Sequence, residues 1–363
     1  MKHTKIVITG GPCAGKTTGM TWIQNALTDR GYKVIFVPET ATELISNGVV
    51  PWLCKTNKDF QRCQMQLQLD KEKVFQMASE RMSDEKILIV CDRGAIDNKV
   101  YMTDEEFSDI MDDMDLNEVE LRDNYDAVFH LVTAANGAEK YYTTENNSAR
   151  TETPEQAREL DAKLISAWTG HPHLRIIDNS TGFEEKMKRL IGEITSFLGE
   201  PEPYEIEKKF LIKYPDIKVL ESLPNCERVE IIQTYLESKN GEERRIRQRG
   251  KDGHYIYFET IKKPGPDTAT RVEIERRLTE KEYLSLLMQA DTTRHSIRKD
   301  RYCLADGSQY FEIDVYPFWN DVAIMEIELS KPDEEIRFPE EVEIIKEVTG
   351  DVKYSNYELA KSH

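Results

Sequence analysis

The run Gly10-Gly11-Pro12-Cys13-Ala14-Gly15-Lys16-Thr17 constrains the fold of this chain more than any other stretch. An apolar run, KIVITG at 5–10, leads into it, and a helical pattern from Thr17 to Arg30 leaves it, ended by Gly31. GxxxxGK[ST] between a buried strand and a helix reads as a phosphate-binding loop. Glycines let the backbone curl until its N–H groups face phosphate oxygens, and the helix N-terminus adds a positive end. Lys16 is placed to reach the outer phosphates. The Thr17 hydroxyl, with Thr18 beside it, is placed to hold magnesium. Gly10 to Thr18 are therefore the expected nucleotide-binding residues, with ATP or GTP and Mg2+ as cofactors.

The pattern around the loop repeats. Further strands are expected at 33–39, 87–92, 126–132 and 174–179, and helices at 61–81, 103–114, from Thr153-Pro154, and from Thr181 to near Gly199. Thr103 with Glu106, and Thr181 with Glu184, read as helix-capping pairs, and Pro154 suits a first helical position. Strands alternating with helices imply a parallel sheet covered on both faces. In such sheets ligands gather at the carboxyl ends of the strands. Asp92 and Glu39 stand at such ends; the competing reading of Glu39 is a charge at a helix N-terminus. The polar stretch from Thr133 to Arg158 carries Lys140, Arg150 and Arg158. Its place is similar to that of the lid of P-loop kinases, which implies arginines that neutralise phosphate, against the plainer reading of a solvated loop.

Some patterns mislead. Thr56-Asn57-Lys58-Asp59 resembles a guanine-reading sequence, but its acid falls one position early and it precedes the Asp92 strand. His171-Pro172-His173 reads as a turn rather than a metal site. The sequons at Asn146 and Asn179 mean little in a cytoplasmic chain.

The texture changes at GEPEPY, 199–204. This places a boundary near Pro201, between residues 1–200 and 201–363, and a length of 363 suits two domains. Beyond it, about eight strand-like runs follow with few helices, near 205–212, 227–237, 243–249, 254–262, 269–277, 295–304, 309–316 and 322–329. Alternate residues of a strand share a face. Glu205, Glu207 and Lys209 project together, as do Arg245, Arg247 and Arg249, then Arg271, Glu273 and Glu275. Lys262 ends its strand, Lys299 and Arg301 form a pair, and Glu312 with Asp314 and Glu326 with Glu328 alternate with apolar neighbours. About eight strands suit a closed antiparallel barrel, either an ordinary one with the apolar face inward and a charged exterior, or one with the charged face inward. Burying those charges dry is prohibitive. A wet bore holding a polyanion and a hard cation satisfies both signs.

The net charge of -18 argues against a sequence-independent nucleic-acid binder. Six scattered cysteines form no CxxC pair, so no zinc site or disulfide framework is signalled. No apolar run is long enough to span a bilayer, and the chain enters a strand pattern at once, without room for a signal peptide. A cytoplasmic protein is the expectation.

Cys91-Asp92-Arg93-Gly94 resembles the DR motif of nucleoside and nucleotide kinases. The resemblance implies a base or magnesium partner in Asp92 and a phosphate ligand in Arg93. Glu39 resembles the acid of deoxynucleoside kinases. From about Tyr204 to Ala360 the chain resembles the CYTH family, the triphosphate tunnel metalloenzymes, down to a closing segment at Asp351–Tyr357. That likeness implies Lys209, Arg245, Arg247, Arg249, Lys262, Arg271, Lys299 and Arg301 as triphosphate ligands. It implies Glu205, Glu207, Glu273, Glu275, Glu312, Asp314, Glu326 and Glu328 as holders of Mg2+ or Mn2+, alongside Thr17 and Asp92 in the first domain. Glu205, Glu207, Glu326 and Glu328, with Asp92 and Glu39, are the expected catalytic acids, and Arg150 joins the nucleotide ligands. An AAA-type, nucleoside-kinase-like P-loop domain ahead of a CYTH-like one is similar to the TRPL translocation defect protein family. This raises an alternative, a nucleotide-switched protein whose barrel binds an anionic lipid headgroup. A nucleoside triphosphate and an inorganic or organic triphosphate or polyphosphate are the expected partners.

Overall fold

The computed structural model describes residues 2–142, 153–200, 206–238, 242–264, 271–329 and 334–361. The chain forms two compact units, Met1–Ile194 and Thr195–His363.

The first unit runs β1 (Lys2–Thr9), α1 (Lys16–Thr28), β2 (Lys33–Val37), α2 (Thr40–Ser46), α3 (Asn57–Ser79), β3 (Lys86–Asp92), α4 (Asp104–Asp113), α5 (Glu118–Arg122), β4 (Ala127–Leu131), α6 (Pro154–Trp168), β5 (Leu174–Ile177) and α7 (Phe183–Leu198). Its sheet is parallel, in the order β2-β3-β1-β4-β5. β1 lies at the centre, so Ile6, Val7 and Ile8 are fully buried. Continuous apolar runs are what a strand covered on both faces requires. In register, Ile8 faces Asp92 on β3. The topology thus sets the residue after β3 beside the loop after β1.

Local chemistry fixes the helix starts. Thr103 and Glu106 form the expected capping box, and Thr153 with Gln156 forms another ahead of Pro154. The misleading Thr56–Asp59 run is the capping box of α3. The expected cap at Thr181 is not made. The Thr181 hydroxyl accepts from Arg189 Nη2 at 3.1 Å, and the first helical bond of α7 runs from Lys186 N to Gly182 O. The His171–His173 stretch is a turn in which His171 Nδ1 accepts the His173 N–H at 3.0 Å.

The second unit runs β6 (Glu207–Lys213), α8 (Ile217–Ser222), β7 (Cys226–Tyr235), β8 (Glu243–Lys251), β9 (His254–Pro264), β10 (Arg271–Leu278), α9 (Glu280–Leu287), β11 (Ile297–Asp306), β12 (Gln309–Val315), β13 (Val322–Glu328), β14 (Ile344–Glu347) and α10 (Asn356–Leu359). All eight expected strands form, and β14 adds a ninth. The antiparallel order is β10-β9-β8-β7-β11-β12-β13-β6-β14. Among the described residues the ladder has no pair joining β10 to β14. This is an α+β arrangement that follows the α/β P-loop unit in the chain.

One face of this sheet is apolar. Phe210, Ile212, Tyr302, Leu304, Phe311, Ile313, Met325 and Ile327 pack there under Leu220 of α8 and the partly buried Ile336, Val342 and Ile344. The outward stripe is therefore covered by chain rather than left bare. The opposite face carries Lys209, Arg247, Arg249, Lys299, Arg301 and Asp314, while buried Glu259 pairs with Arg244 and Arg276 on the Ile246 side of the sheet.

Candidate functional site

In the first unit the loop curls as its glycines permit. Gly10 has φ of 140° and Gly15 a φ of 93° just before α1. A Cβ on Gly10 would lie 2.0 Å from the Leu131 carbonyl oxygen, so only glycine lets β4 pass this close. Lys16 folds its Nζ back onto the Gly10 and Gly11 carbonyl oxygens, at 2.9 and 3.4 Å. Thr17 and Thr18 are exposed at the start of α1.

Across from the loop, Arg93 donates from Nε to Glu39 Oε1 at 2.5 Å, and Thr42 donates to Glu39 Oε2 at 2.6 Å. Arg93 has φ of 69°, and its N–H donates to the Ile8 carbonyl at 3.1 Å. That bond ties the strained residue to β1. Burial raises the Glu39 carboxyl, but the charges of Arg93 and Lys16 outweigh it and hold the acid at about 2. Asp92 is raised, chiefly by burial. Its Oδ1 is buried without a hydrogen bond, as is Arg93 Nη1. A buried acceptor and a buried donor with capacity to spare, beside a phosphate loop, fit a hard cation and a phosphate oxygen.

Three supports escaped the sequence reading. Asp161 on α6 accepts the Gly11 N–H at 2.7 Å, the Thr133 N–H at 3.2 Å and a contact from His130 Nε2 at 3.1 Å. Lys186 on α7 donates to Ala14 O at 3.2 Å, Val132 O at 2.7 Å and Asn179 Oδ1 at 2.7 Å. Asp97 takes Thr9 Oγ1 at 2.8 Å and Trp168 Nε1 at 2.7 Å on one oxygen, and the Gly94 N–H at 2.9 Å on the other. The last two bonds fix the turn that aims Arg93. Buried acids and amines on otherwise amphipathic helices were the available signal. Arg158 donates to Ala135 O at 2.7 Å and pairs with Glu155, so it braces this region rather than facing the loop. Arg150 and Asn146 lie outside the described residues.

Burial lowers the Lys16 ammonium to about 8, and the Arg93 charge adds to the shift. A bound polyphosphate favours the charged form and raises it again. Nucleotide binding should therefore take up a proton just above pH 8, and affinity should fall as pH rises further. Calorimetry at pH 8.5, in two buffers of different ionisation enthalpy, reads that uptake. Buffer-independent heats would contradict it.

In the second unit the charged face is the sheltered one. Lys299 is 5 % exposed, Arg301 7 %, Arg249 1 % and Asp314 0 %. The ladder register sets Glu312 opposite Glu326, and Glu326 opposite Lys209. Lys209 Nζ lies 2.6 Å from Glu326 Oε1 and 3.5 Å from Glu207 Oε1. Arg301 forks onto Asp314, with Nε to Oδ1 and Nη2 to Oδ2 both at 2.7 Å, and reaches Glu326 at 2.9 Å and Glu312. Lys299 also pairs with Asp314. Apart from this group, Arg247 Nη2 meets Glu275 Oε2 at 2.8 Å, where Thr260 also donates at 3.0 Å.

The electrostatics follow from this crowding. Burial lowers Arg247; Glu275 opposes the shift while Arg245, Arg249 and Arg301 add to it. Burial also lowers Lys299, helped by Arg301. Burial raises Glu326, yet Lys209 and Arg301 prevail and hold it well below the usual carboxylate range. Four carboxylates, Glu207, Glu312, Asp314 and Glu326, offer hard oxygen donors of the kind Mg2+ and Mn2+ take.

Farther along the same face, Leu211, Tyr235, Ile297, Tyr316 and Ile324 pack with Val348, Leu359 and Ala360. The charged stretch thus continues into an apolar one. The remaining candidates sit apart. Glu328 is exposed at its strand end, opposite Glu207. Lys262 is held between Glu243 and Glu273 in register. Glu205 lies outside the described residues, as do the side chains of Arg271 and Glu273. Among the described residues no helix is long and apolar enough to cross a membrane.

Comparison with known proteins finds two families along the chain. Residues 5–186 match the AAA domain family, and residues 203–353 match the CYTH domain family. No curated protein is matched. Solved structures similar to part of the chain include the hypothetical protein NE1496, 28 % identical over 44 % of this chain and 99 % of that one, with a TM-score of 0.31. The inorganic triphosphatase NE1496 is 27 % identical over 44 % of this chain and 96 % of that one, with a TM-score of 0.30. PH1012 from Pyrococcus horikoshii OT3 is 20 % identical over 36 % of this chain and 81 % of that one, with a TM-score of 0.28. The chain belongs to the AAA domain family through its first half and carries a CYTH domain behind it.

Proposed function

We propose that residues 1–200 bind a nucleoside triphosphate, ATP or GTP, with Mg2+, and that residues 201–363 bind and hydrolyse a triphosphate or polyphosphate with Mg2+ or Mn2+. The observation that carries this reading is the buried charged face. Lys209, Arg247, Arg249, Lys299 and Arg301 share it with Glu207, Glu275, Glu312, Asp314 and Glu326, and an apolar cluster lies farther along it. Such a set is costly to bury unless a ligand of matching charge uses it. In the hydrolytic reading the lysine and arginines neutralise phosphate oxygens. Glu207, Glu312, Asp314 and Glu326 would hold the cation, which polarises the phosphoryl group and activates water when bound.

Phosphate release from tripolyphosphate and from nucleoside triphosphates, with Mg2+ or Mn2+ and with the Glu326→Ala chain as control, tests it. Metal-dependent release that falls at least 100-fold in the variant supports hydrolysis. Tight tripolyphosphate binding without release makes the second domain a sensor of anions, including lipid headgroups.

A second reading rests on a different observation. Glu39, ionised down to about pH 2, faces Arg93 at 2.5 Å beside Lys16. That grouping suits phosphoryl transfer to a small hydroxyl acceptor, with Asp92 as base or cation ligand. A phosphorylated product from a panel of nucleosides and vitamin precursors, lost in Asp92→Asn, would establish it.

A further inference from the structure

The charges on the sheltered face of the second domain fall into two groups. β8 presents Arg245, Arg247 and Arg249 on one face. The other group, on β6, β11, β12 and β13, sets the acids Glu207, Glu312, Asp314 and Glu326 against Lys209, Lys299 and Arg301. Arg301 stands at its centre. One guanidinium holds three carboxylates from two neighbouring strands: Asp314 through both oxygens, Glu312, and Glu326.

This arrangement has a geometric consequence. Among the described residues, no three Asp, Glu, His or Cys side chains converge as a metal site. The carboxylates that could form one are instead wrapped around the guanidinium. Their donor chemistry suits a hard divalent cation, and their present geometry suits an arginine.

We propose that Arg301 is an exchangeable counter-ion, which holds Glu312, Asp314 and Glu326 in the metal-free protein, yields them to an entering divalent cation, and then turns its guanidinium to the phosphates. The proposal rests on the reading of this domain as a metal-dependent triphosphate site.

Three physical points support it. Buried carboxylates without a cation are strongly unfavourable, so some positive group must hold them when metal is absent. Arginine cannot lose its proton here, so it can only be replaced or moved. Its planar fork fits a carboxylate and a phosphate equally well, which an ammonium does not. Arg247 and Arg249 lie on the same sheltered face, and Arg301 acts electrostatically on Arg247. In the exchange Arg301 turns from the acids towards the side of the face that carries Arg247 and Arg249. By linkage, metal and polyanion then favour each other's binding.

The test uses the full chain without nucleotide, with Mn2+ binding followed by electron paramagnetic resonance. If Arg301 competes with the metal, Arg301→Gln binds Mn2+ about tenfold more tightly than wild type and Arg301→Lys falls between them. An arginine that merely scaffolds the site gives the opposite result, weaker Mn2+ binding in Arg301→Gln, and that overturns the proposal, as does unchanged affinity. Wild-type protein crystallised with Mn2+ and tripolyphosphate gives a check free of any folding defect. Arg301 is expected on a phosphate oxygen, and a guanidinium still forked onto Asp314 refutes the exchange. If no chain binds Mn2+ at all, the metal-dependent reading of the domain falls first, and the exchange with it.

Discussion

Lys16→Met is expected to weaken binding of fluorescent ATP and GTP analogues at least 100-fold, about 3 kcal/mol, as charge-assisted bonds to two phosphates are lost. The lysine is half-buried, and its Nζ rests on two carbonyls of its own loop. The side chain packs on its own loop rather than in the apolar core, so the fold should survive. Tripolyphosphate binding by the second domain provides the internal control and should not change. A variant that binds nucleotide within threefold of wild type would show that the loop is not the nucleotide site.

The second large effect is expected at Asp314. Its side chain is fully buried, accepts the Arg301 fork through both oxygens and pairs with Lys299. Asp314→Ala leaves the buried Lys299 without its carboxylate and removes the two-oxygen fork from Arg301, which keeps Glu312 and Glu326. Breaking a buried pair from one side costs about 3–5 kcal/mol. Two units do not melt as one transition, so amide exchange is the cleaner measurement. Protection in β11 and β12 should fall by that amount while β1 is unchanged. Asp314→Asn should recover part of the loss through its remaining acceptor. A loss below about 1 kcal/mol would mean that water already shares these charges.

Much of this was legible in the sequence because the relevant signals are local or strictly periodic. The loop at 10–17 reads directly, since its glycines and lysine must be contiguous. The eight strands of the second domain show through alternation, which holds for every residue of a strand with one covered face. Pairing across the sheet could not be read. Nothing near Glu326 announces that Lys209 lies opposite, and the central place of Arg301 depends on which strands are neighbours. The same holds in the first unit. Asp161 and Lys186 sit on helices far along the chain, and only the packed fold brings them under the loop. β14 was missed because Ile344–Glu347 is short and mostly exposed. The Thr181 cap is not made because α7 starts at Phe183, which leaves Gly182 at the cap position.

The order of strands also bears on how the chain is made. The first sheet is complete once β5 ends at Ile177. The second is not, because β6, its opening strand, pairs only with β13 and β14, and the Lys209 N–H waits for Thr349, 140 positions later. During synthesis β6 must therefore remain with both edges open while the rest of the domain leaves the ribosome. Glu207, Lys208, Lys209 and Lys213 make it a poor partner for stray strands over that interval. The charges of β6 thus disfavour stray pairing while the strand waits for its partners.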